Sequence, residues 1–322
     1  MKLPELRIAN LVAKVPIIQG GMAIGISMAP LAAAVAEEGG IGVIAGTALT
    51  VERLRAEIRE AKRRTRGIIG VNIMFAAREF AQLARAALEE KIDLIISGAG
   101  FSRDMFVWGK EARTPIVPIV STAKLARLAQ NLGAAAVIVE GKEAGGHLGT
   151  DRSMREVLPE VKQAVDIPVI GAGGVITGTD VAEVLELGAD GVQMGTRFAL
   201  SAESSAAPAW KERLLQAAAG DIVIIHSPVG LPGRSVRNAF TDALAADPEA
   251  FRPQACTSCL KRCERNFCVR EHLVAAQEGD VDRGLIFSGA MVHKITDVLP
   301  VKDIFANLKR EIAEYRKGTK WE

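Results

Sequence analysis

The loop at residues 140–149 carries the side chain of this chain best suited to proton transfer. It reads Glu-Gly-Lys-Glu-Ala-Gly-Gly-His-Leu-Gly and follows an apolar run typical of a buried strand. Gly145 and Gly146 allow the backbone to approach a ligand closely, which a Cβ atom would prevent. His147 follows them directly, and the ordinary pKa of histidine suits acid–base catalysis near neutral pH. A tight turn with a surface histidine is the alternative, because a short glycine motif is weak evidence by itself.

Four cysteines, all within residues 256–268, form the second group of reactive side chains. They are Cys256, Cys259, Cys263 and Cys268, with the spacing C-x2-C-x3-C-x4-C. Such clustering in a cytoplasmic protein favours metal ligation over disulfides. A [4Fe–4S] cluster is the preferred interpretation, with zinc and unmetallated thiols as the alternatives. Nearby cations would offset the negative charge of thiolate ligands. These cations are Lys261, Arg262, Arg265 and Arg270.

The elements that must position these residues follow a repeating pattern over about 200 residues, in which a short apolar run precedes an Ala-rich amphipathic segment. Alternating strands and helices indicate a parallel sheet, and eight units favour a closed (β/α)8 barrel of the TIM type. An open doubly wound sheet is the competitor. The predicted strands are Val15–Gln19, Ile41–Ala45, Gly67–Asn72, Leu94–Ser97, Ile116–Val120, Ala136–Glu140, Pro168–Gly171 and Gly191–Met194. The predicted helices include Val51–Arg64, Ala76–Glu90, Ala123–Leu132, Met154–Val165 and Thr179–Leu187.

Glycine and polar residues cluster directly after these strands. In a barrel the loops after the strands converge on one mouth, where barrel enzymes hold their chemistry. The loops after the last two strands, at residues 171–174 and 195–197, are rich in glycine. Exposed backbone N–H groups there would suit a phosphate. If these glycines only formed tight turns, that would explain one or two of the loops. It would not explain why all of the glycine-rich loops lie at one end of the barrel.

Composition excludes several other classes of protein. The chain has 322 residues, of which 49% are hydrophobic but only 4% aromatic, so its core must consist mainly of aliphatic side chains. A net charge of +2 gives no global attraction to nucleic acid. Neither a signal peptide nor a membrane span is recognisable. A soluble, cytoplasmic protein is therefore expected.

The ordered motifs resemble those of the FMN-dependent nitronate monooxygenase (2-nitropropane dioxygenase-like) family, especially its enoyl-acyl-carrier-protein reductase II branch. The resemblance covers roughly residues 10–240 and the segment near residues 288–300. The motifs that carry it are Pro16-Ile-Ile-Gln-Gly-Gly-Met22, Gly70-Val-Asn-Ile-Met74, Ser97-Gly-Ala-Gly100, Glu143-Ala-Gly-Gly-His-Leu-Gly149, Ala172-Gly-Gly-Val175, Gln193-Met-Gly-Thr-Arg-Phe198 and Gly230-Leu-Pro-Gly-Arg234 through Asn238.

The resemblance implies that FMN lies across the barrel mouth with its phosphate on the last two loops, and that His147 is the catalytic residue. It implies that FMN is held by Gly20, Gly21, Met22, Asn72, Glu140, Gly145, Gly146, Gly173, Gly174, Gln193, Met194, Gly195 and Thr196. NAD(P)H would supply hydride for an activated, enoyl-type double bond of a small-molecule or acyl-thioester substrate. The alternatives are a monooxygenase that oxidises alkyl nitronates with O2, a flavin/iron–sulfur redox relay subunit, and a phosphate-binding barrel without flavin.

The expected organisation is a barrel at residues 1–200 and 295–322, with a small, mostly helical lid inserted at residues 201–294 after the eighth strand. The lid would carry the four-cysteine site. A helical pattern that includes Ile304, Leu308 and Ile312 is expected to be the last barrel helix. A redox protein partner and a homodimer are further hypotheses, whereas no nucleic acid and no membrane are expected as partners.

Overall fold

The secondary structure alternates between strands and helices over most of the chain. A computed structural model describes residues 3–318. Its strands are β1 (Leu6–Ile8), β2 (Leu11–Ala13), β3 (Ile17–Gln19), β4 (Ile41–Ala45), β5 (Ile68–Met74), β6 (Leu94–Gly98), β7 (Ile116–Val120), β8 (Val137–Glu140), β9 (Gly146–His147), β10 (Val169–Ala172), β11 (Gly191–Met194), β12 (Ile222–Ser227) and β13 (Leu231–Val236). The α-helices are α1 (Ala29–Glu37), α2 (Val51–Arg64), α3 (Phe80–Glu89), α4 (Arg103–Ala112), α5 (Ala123–Asn131), α6 (Met154–Lys162), α7 (Gly178–Glu186), α8 (Thr196–Ala199), α9 (Pro208–Leu215), α10 (Ala239–Ala246), α11 (Val269–Glu278) and α12 (Val301–Gly318).

Eight of the strands form a closed parallel barrel in the order β10-β11-β3-β4-β5-β6-β7-β8. The predicted TIM barrel is therefore confirmed, and the open sheet is excluded because β11 pairs with β3 through Gln193 and Ile18. Each predicted strand corresponds to one barrel strand. The barrel also places the carboxyl ends of all eight strands at one mouth.

Successive side chains along each strand point to opposite faces of the barrel wall, so they contribute to two separate layers of the hydrophobic core. Inside the barrel, side chains such as Ile41, Val43 and Ile138 pack together with almost no exposed surface. Their neighbours along the strands, such as Ile44 and Val137, face outward against the helices. This alternation follows from the two-residue period of a strand. The core is thus aliphatic, as the composition predicts.

Hydroxyl side chains set where several barrel helices begin. Thr50 Oγ1 accepts a hydrogen bond of 3.1 Å from the Arg53 amide, and Ser153 forms a capping box with Glu156. Such caps satisfy amide groups that the first turn leaves without a helical partner. Ser102, Thr122 and Thr177 cap α4, α5 and α7 in the same way.

The last helix closes the outer layer of the barrel. Helix α12 packs beside α7 and α1, and it contains the predicted Ile304, Leu308 and Ile312 on its buried face. A Cβ atom at Gly178 would lie 2.3 Å from the Leu308 carbonyl oxygen, so α7 and α12 approach each other closely because this residue is glycine.

The segment between β11 and α12 lies over the barrel mouth. Apolar side chains from this segment, including Trp210, Val236 and Ile286, pack with Ile26 and Ile176 from barrel loops. The segment contains the expected helices α9, α10 and α11, but also an antiparallel hairpin of β12 and β13 that the sequence analysis missed. None of the helices in the described part of the chain has the length and apolar character needed to cross a membrane.

Candidate active site

Two adjoining cavities open at the mouth of the barrel. The larger has a volume of about 600 Å³ and the smaller about 110 Å³. Both are lined by Gly21, Met22, Glu140, Gly145, Gly195 and Thr196, which places them side by side. A ligand with a small polar end and a larger flat portion could therefore occupy parts of both.

Nearly all residues predicted to hold a cofactor line these cavities. Gly20, Gly173, Gly174 and Gln193 line the small cavity, whereas Asn72, Gly146 and His147 line the large one. Met194 is the exception, since its side chain is only 1% exposed and packs in the aliphatic core outside the barrel. Only the carbonyl of Met194 faces the site residues, where it accepts a hydrogen bond of 2.9 Å from the Gly20 amide.

Glycine backbone geometry forms the small cavity. Gly173 and Gly174 follow β10 with φ angles of 105° and 73°, in the left-handed region that other residues rarely adopt. Gly145 has a different reason to be glycine, because a Cβ atom there would lie 2.6 Å from the Ser288 carbonyl carbon. At Gly195 a Cβ atom would meet nothing closer than the Met22 sulfur at 3.9 Å, so it would point into open space.

A buried polar atom in the small cavity has no hydrogen-bond partner among the described residues. Gln193 is 8% exposed, and its Oε1 accepts no hydrogen bond from the described part of the chain. Burying such an acceptor without a partner costs about 1–3 kcal/mol. A ligand that donates a hydrogen bond at this point would remove the cost. The residues present therefore fit a polar cofactor.

His147 is positioned by pairing with the hairpin of β12 and β13. Residues Gly146 and His147 form the short strand β9, in which His147 pairs with Gly233 of β13. This pairing turns the imidazole toward Ser227, whose Oγ lies 2.8 Å from Nε2. The Phe287 ring packs against the imidazole edge to face, with 5.1 Å between centroids. The histidine is thus held by Ser227, 80 residues further along the chain, and by Phe287, 140 residues further along.

Burial shifts the pKa values of two titratable groups at the mouth, His147 and Glu140. Desolvation lowers the pKa of His147 to about 4, so its imidazole is neutral at pH 7. Desolvation also raises the pKa of Glu140 to about 7, so its carboxyl carries a proton for part of the time. Although its surface is partly accessible from the cavity, Glu140 lies deep in the molecule at the end of β8. At pH 7 His147 is therefore uncharged and Glu140 is only partly ionised.

Sequence reasoning missed the residues that the lid contributes. Ser227 and Phe287 contact His147, while Trp210, Leu260 and Leu273 line the large cavity. Ser227 is a small polar residue in a strand and has no distinguishing motif. It could only have been found from the pairing of β13 with β9, which brings the hairpin to the histidine loop.

We expect Ser227→Ala to lower turnover by about three- to tenfold, because loss of one hydrogen bond to His147 Nε2 costs about 0.5–1.5 kcal/mol. Ser227→Thr retains the hydroxyl and should restore much of the loss. Ser235→Ala is the matched control, because Ser235 is equally buried in the hairpin and its hydroxyl donates to the Ile286 carbonyl instead. Steady-state kinetics of the three variants would test this, and equal losses in both alanine variants would contradict a positioning role.

The four cysteines lie on the segment that covers the large cavity. Cys256 is exposed, whereas Cys259, Cys263 and Cys268 are half-buried, and Cys259 lines the cavity wall. Burial raises the pKa of Cys259, and the nearby thiols of Cys268 and Cys263 add to the effect. In residues 3–318 no group of three or more histidine, cysteine or acidic side chains is arranged to hold a metal ion. The predicted metal centre stays a prediction.

Comparisons with known proteins agree with this geometry. The family model for nitronate monooxygenase matches residues 5–311. A solved structure of FabK from Thermotoga maritima has a TM-score of 0.85 at 34% identity and covers 94% of both chains. A nitroalkane oxidase from Streptomyces ansochromogenes has a TM-score of 0.82 at 28% identity, covering 94% of this chain and 97% of its own.

A curated relative from Mycobacterium tuberculosis is a (3aS,4S,5R,7aS)-5-hydroxy-7a-methyl-1-oxo-octahydro-1H-indene-4-carboxyl-CoA dehydrogenase. It is 34% identical over 238 residues, which is 73% of this chain and 66% of the dehydrogenase. The alignment thus spans just under two thirds of that relative. Because the family model extends over most of the sequence and the whole barrel, the chain belongs to the nitronate monooxygenase family of oxidoreductases.

Proposed function

We propose that this protein is an FMN-dependent oxidoreductase that uses NAD(P)H to reduce an activated, enoyl-type double bond. The observation that carries the proposal is the junction of the two cavities. A small glycine-lined cavity with an unpartnered Gln193 Oε1 adjoins a large cavity that contains a neutral His147. The glycine-lined cavity suits a flavin phosphate, Gln193 Oε1 suits an N–H or O–H donor of the same cofactor, and the large cavity suits the flavin ring beside a substrate.

In this proposal the residues at the small cavity bind FMN. They are Gly20, Gly21, Met22, Gly145, Gly173, Gly174, Gln193, Gly195 and Thr196, with Asn72, Glu140 and Gly146 at the large cavity and Met194 contributing only its backbone. Bound FMN would supply hydride transfer between nicotinamide and substrate. The protein supplies orientation, exclusion of water and proton handling.

His147 is proposed to bind and polarise the substrate as a neutral imidazole. Its Nε2 is engaged with Ser227, and the described residues provide no hydrogen bond to Nδ1. In the proposed tautomer the Ser227 hydroxyl, whose Oγ accepts from the Val229 amide at 3.4 Å, donates to Nε2, and the ring proton resides on Nδ1. From Nδ1 the ring can donate a hydrogen bond to a substrate carbonyl.

The size and lining of the large cavity favour an acyl substrate over a small nitronate. A volume of about 600 Å³ lies in the range that accommodates a drug-sized ligand. Side chains such as Leu49, Met74, Trp210 and Leu273 make much of the wall apolar. Beside the flavin ring, an apolar acyl group attached to a thioester would fill the remaining space, whereas a short alkyl nitronate would leave part of it to water.

The decisive experiment identifies the cofactor, the reductant and the substrate in successive steps. Flavin released by denaturation is identified by chromatography, and FMN is expected. The bound flavin is then reduced anaerobically with NADH or NADPH and reoxidised with an enoyl thioester, with the absorbance of the flavin as readout. FAD in place of FMN, or reduced flavin that the thioester does not reoxidise, would contradict the proposal.

Oxidation of nitronates is the second candidate, because the nitroalkane oxidase from Streptomyces ansochromogenes shares this fold at 28% identity. Flavin reduction by an alkyl nitronate, followed by reoxidation with O2 and no response to NAD(P)H, would favour this candidate. The substrate contacts of His147 would be retained, since a neutral imidazole can also donate to a nitronate oxygen.

Replacing Glu140 with glutamine should flatten the pH dependence of stability. The pKa of Glu140 in the folded protein, about 7, lies above the ordinary value of 4.5. The stability that results is complete below pH 4.5 and is lost as the pH rises through 7. Between these limits the free energy of unfolding of the wild type should fall by about 1–3 kcal/mol relative to the variant. Urea denaturation of flavin-free protein would measure this, and parallel pH profiles would refute it.

We also propose that residues 1–200 and 295–322 act as the flavin-binding barrel and residues 201–294 as the lid over the substrate. In this proposal the four cysteines of the lid bind the metal expected from their spacing, a [4Fe–4S] cluster or zinc. A flavin/iron–sulfur relay requires that this metal be iron, which gives that alternative a direct test.

A further inference from the structure

The large cavity opens to solvent at the end that lies away from His147. Most of the residues that line it are buried or half-buried, and only a few of its side chains are exposed. These come from the start of α2, from α3 and from the first turn of α11, and they mark the entrance. The exposed side chains of the entrance are Thr50, Glu52, Gln82 and Arg270.

The two sides of this entrance carry opposite charges. Glu52 in the first turn of α2 and Glu79 directly before α3 form an acidic side, and α2 and α3 pack against each other in the barrel. Arg270 lies across from them on α11, in the segment that covers the mouth. Among the described residues that line the two cavities, Arg270 is the only lysine or arginine. An anion that enters the large cavity therefore meets one fixed positive charge, at α11.

The guanidinium of Arg270 has no role inside the described protein. Arg283, just after the same helix, forms a salt bridge with Asp280. Arg270, in contrast, forms neither a salt bridge nor a side-chain hydrogen bond with any residue in the range 3–318. Burial raises the pKa of Cys259 in the cavity wall, and the charge of Arg270 opposes that rise, so the guanidinium lies near the wall. It is therefore available to a ligand in the cavity.

A guanidinium in this position suits a phosphate group. Its planar set of N–H donors can bind two phosphate oxygens at once through charge-assisted hydrogen bonds. Glu52 and Glu79 would repel the same group, because like charges raise the energy at short distances. A bound phosphate is therefore expected on the α11 side of the entrance.

The reaction proposed above indicates which part of a ligand reaches the entrance. If the reacting atoms lie beside His147, the entrance contacts a portion of the ligand that is remote from the chemistry. NAD(P)H carries a diphosphate between its two nucleosides, and a coenzyme A thioester carries one next to its adenosine. Both candidate ligands thus have a nucleotide diphosphate in the part that does not react.

We propose that Arg270 binds the diphosphate of a nucleotide tail at the entrance of the large cavity and thereby selects ligands that carry such a tail. The identity of the ligand rests on the proposed function, whereas the phosphate contact is a binding property that needs no turnover. Arg270 determines specificity and takes no part in the chemistry. Its loss should therefore weaken binding and leave kcat unchanged.

Calorimetric titration with ADP tests the phosphate contact directly. The protein is saturated with FMN, which keeps ADP out of the small cavity. ADP should bind to Arg270→Gln about three- to tenfold more weakly than to the wild type at low salt, and this difference should shrink as the ionic strength rises. Equal affinities of the two proteins for ADP, or no binding of ADP to the wild type, would overturn the proposal.

Arg127→Gln is the matched control for this titration. Arg127 is an exposed arginine on α5 that lines neither cavity, so its replacement removes the same charge at a remote position. Its affinity for ADP should equal that of the wild type. An equal loss of affinity in both variants would show that only the net charge of the protein matters, and it would also overturn the proposal.

Steady-state kinetics distinguish the two sources of the diphosphate. The KM is measured for NADH and NADPH, and for one enoyl group carried either on coenzyme A or on N-acetylcysteamine, which has no phosphate. A rise of about three- to tenfold in Arg270→Gln that is confined to NAD(P)H assigns the tail to the reductant, and a rise confined to the coenzyme A thioester assigns it to the substrate. An equal rise for the N-acetylcysteamine thioester, or a fall in kcat alone, would overturn the role of Arg270.

The proposed reaction and the role of Arg270 can fail independently. Binding of ADP that depends on Arg270, in a protein that does not reduce the thioester, would overturn only the proposed reaction. Reduction of the thioester with no effect of Arg270→Gln on the affinity for ADP would overturn only the role of Arg270.

Discussion

Gly195→Val is expected to abolish FMN binding or weaken it at least about 100-fold. The φ angle of Gly195 is −97°, which any residue can adopt, and its Cβ direction leads into the cavity rather than into protein atoms. The fold should therefore tolerate valine. The added methyl groups would occupy space that the phosphate needs, and steric overlap of this kind costs about 1–3 kcal/mol or more.

Gly220→Val provides the matched control for this prediction. A Cβ atom at Gly220 has no neighbour within 4 Å, and Gly220 lines neither cavity. Titration of both flavin-free variants with FMN, followed by flavin fluorescence, gives the two dissociation constants, and circular dichroism verifies the fold. A folded Gly195→Val protein with the affinity of the wild type would show that the phosphate lies elsewhere.

His147→Ala is expected to leave FMN bound while slowing turnover by about 10²–10⁴-fold, the usual contribution of an acid–base or orienting group. Because His147 sits beside the large cavity and its ring contacts Ser227 and Phe287, its removal does not disturb the glycines of the small cavity. Rapid kinetics should show normal reduction of the flavin by NAD(P)H and slow transfer to the enoyl substrate. Turnover within threefold of the wild type would show that His147 has only a structural role.

The pH profile supplies an independent readout for the same residue. Because the pKa of His147 is lowered to about 4, His147 should cause no break in turnover at its ordinary value of 6.5, and a break near pH 7 would arise from Glu140 instead. An acid limb should appear only as the pH falls toward 4, where the imidazole gains a proton and a charge in an apolar site. His147→Gln, which can donate a hydrogen bond but cannot titrate in this range, should lack that limb.

The sequence by itself determined the barrel and much of the candidate site. Strand and helix periodicity are local properties, so the eight barrel strands were recognised, and α2 begins and ends where the sequence predicts. The glycine loops were recognised for the same reason, since each directly follows its own strand. In a parallel barrel this local position already places a loop at the mouth.

Only the tertiary structure decided how His147 is held and what its protonation state is. Ser227 lies 80 positions from His147, and the hairpin that joins them was expected to be helical. The shifted pKa values of His147 and Glu140 arise from burial by residues distant in sequence. Long-range strand pairing and desolvation depend on which segments of the chain contact each other in the folded protein. A local pattern of residue types does not specify those contacts.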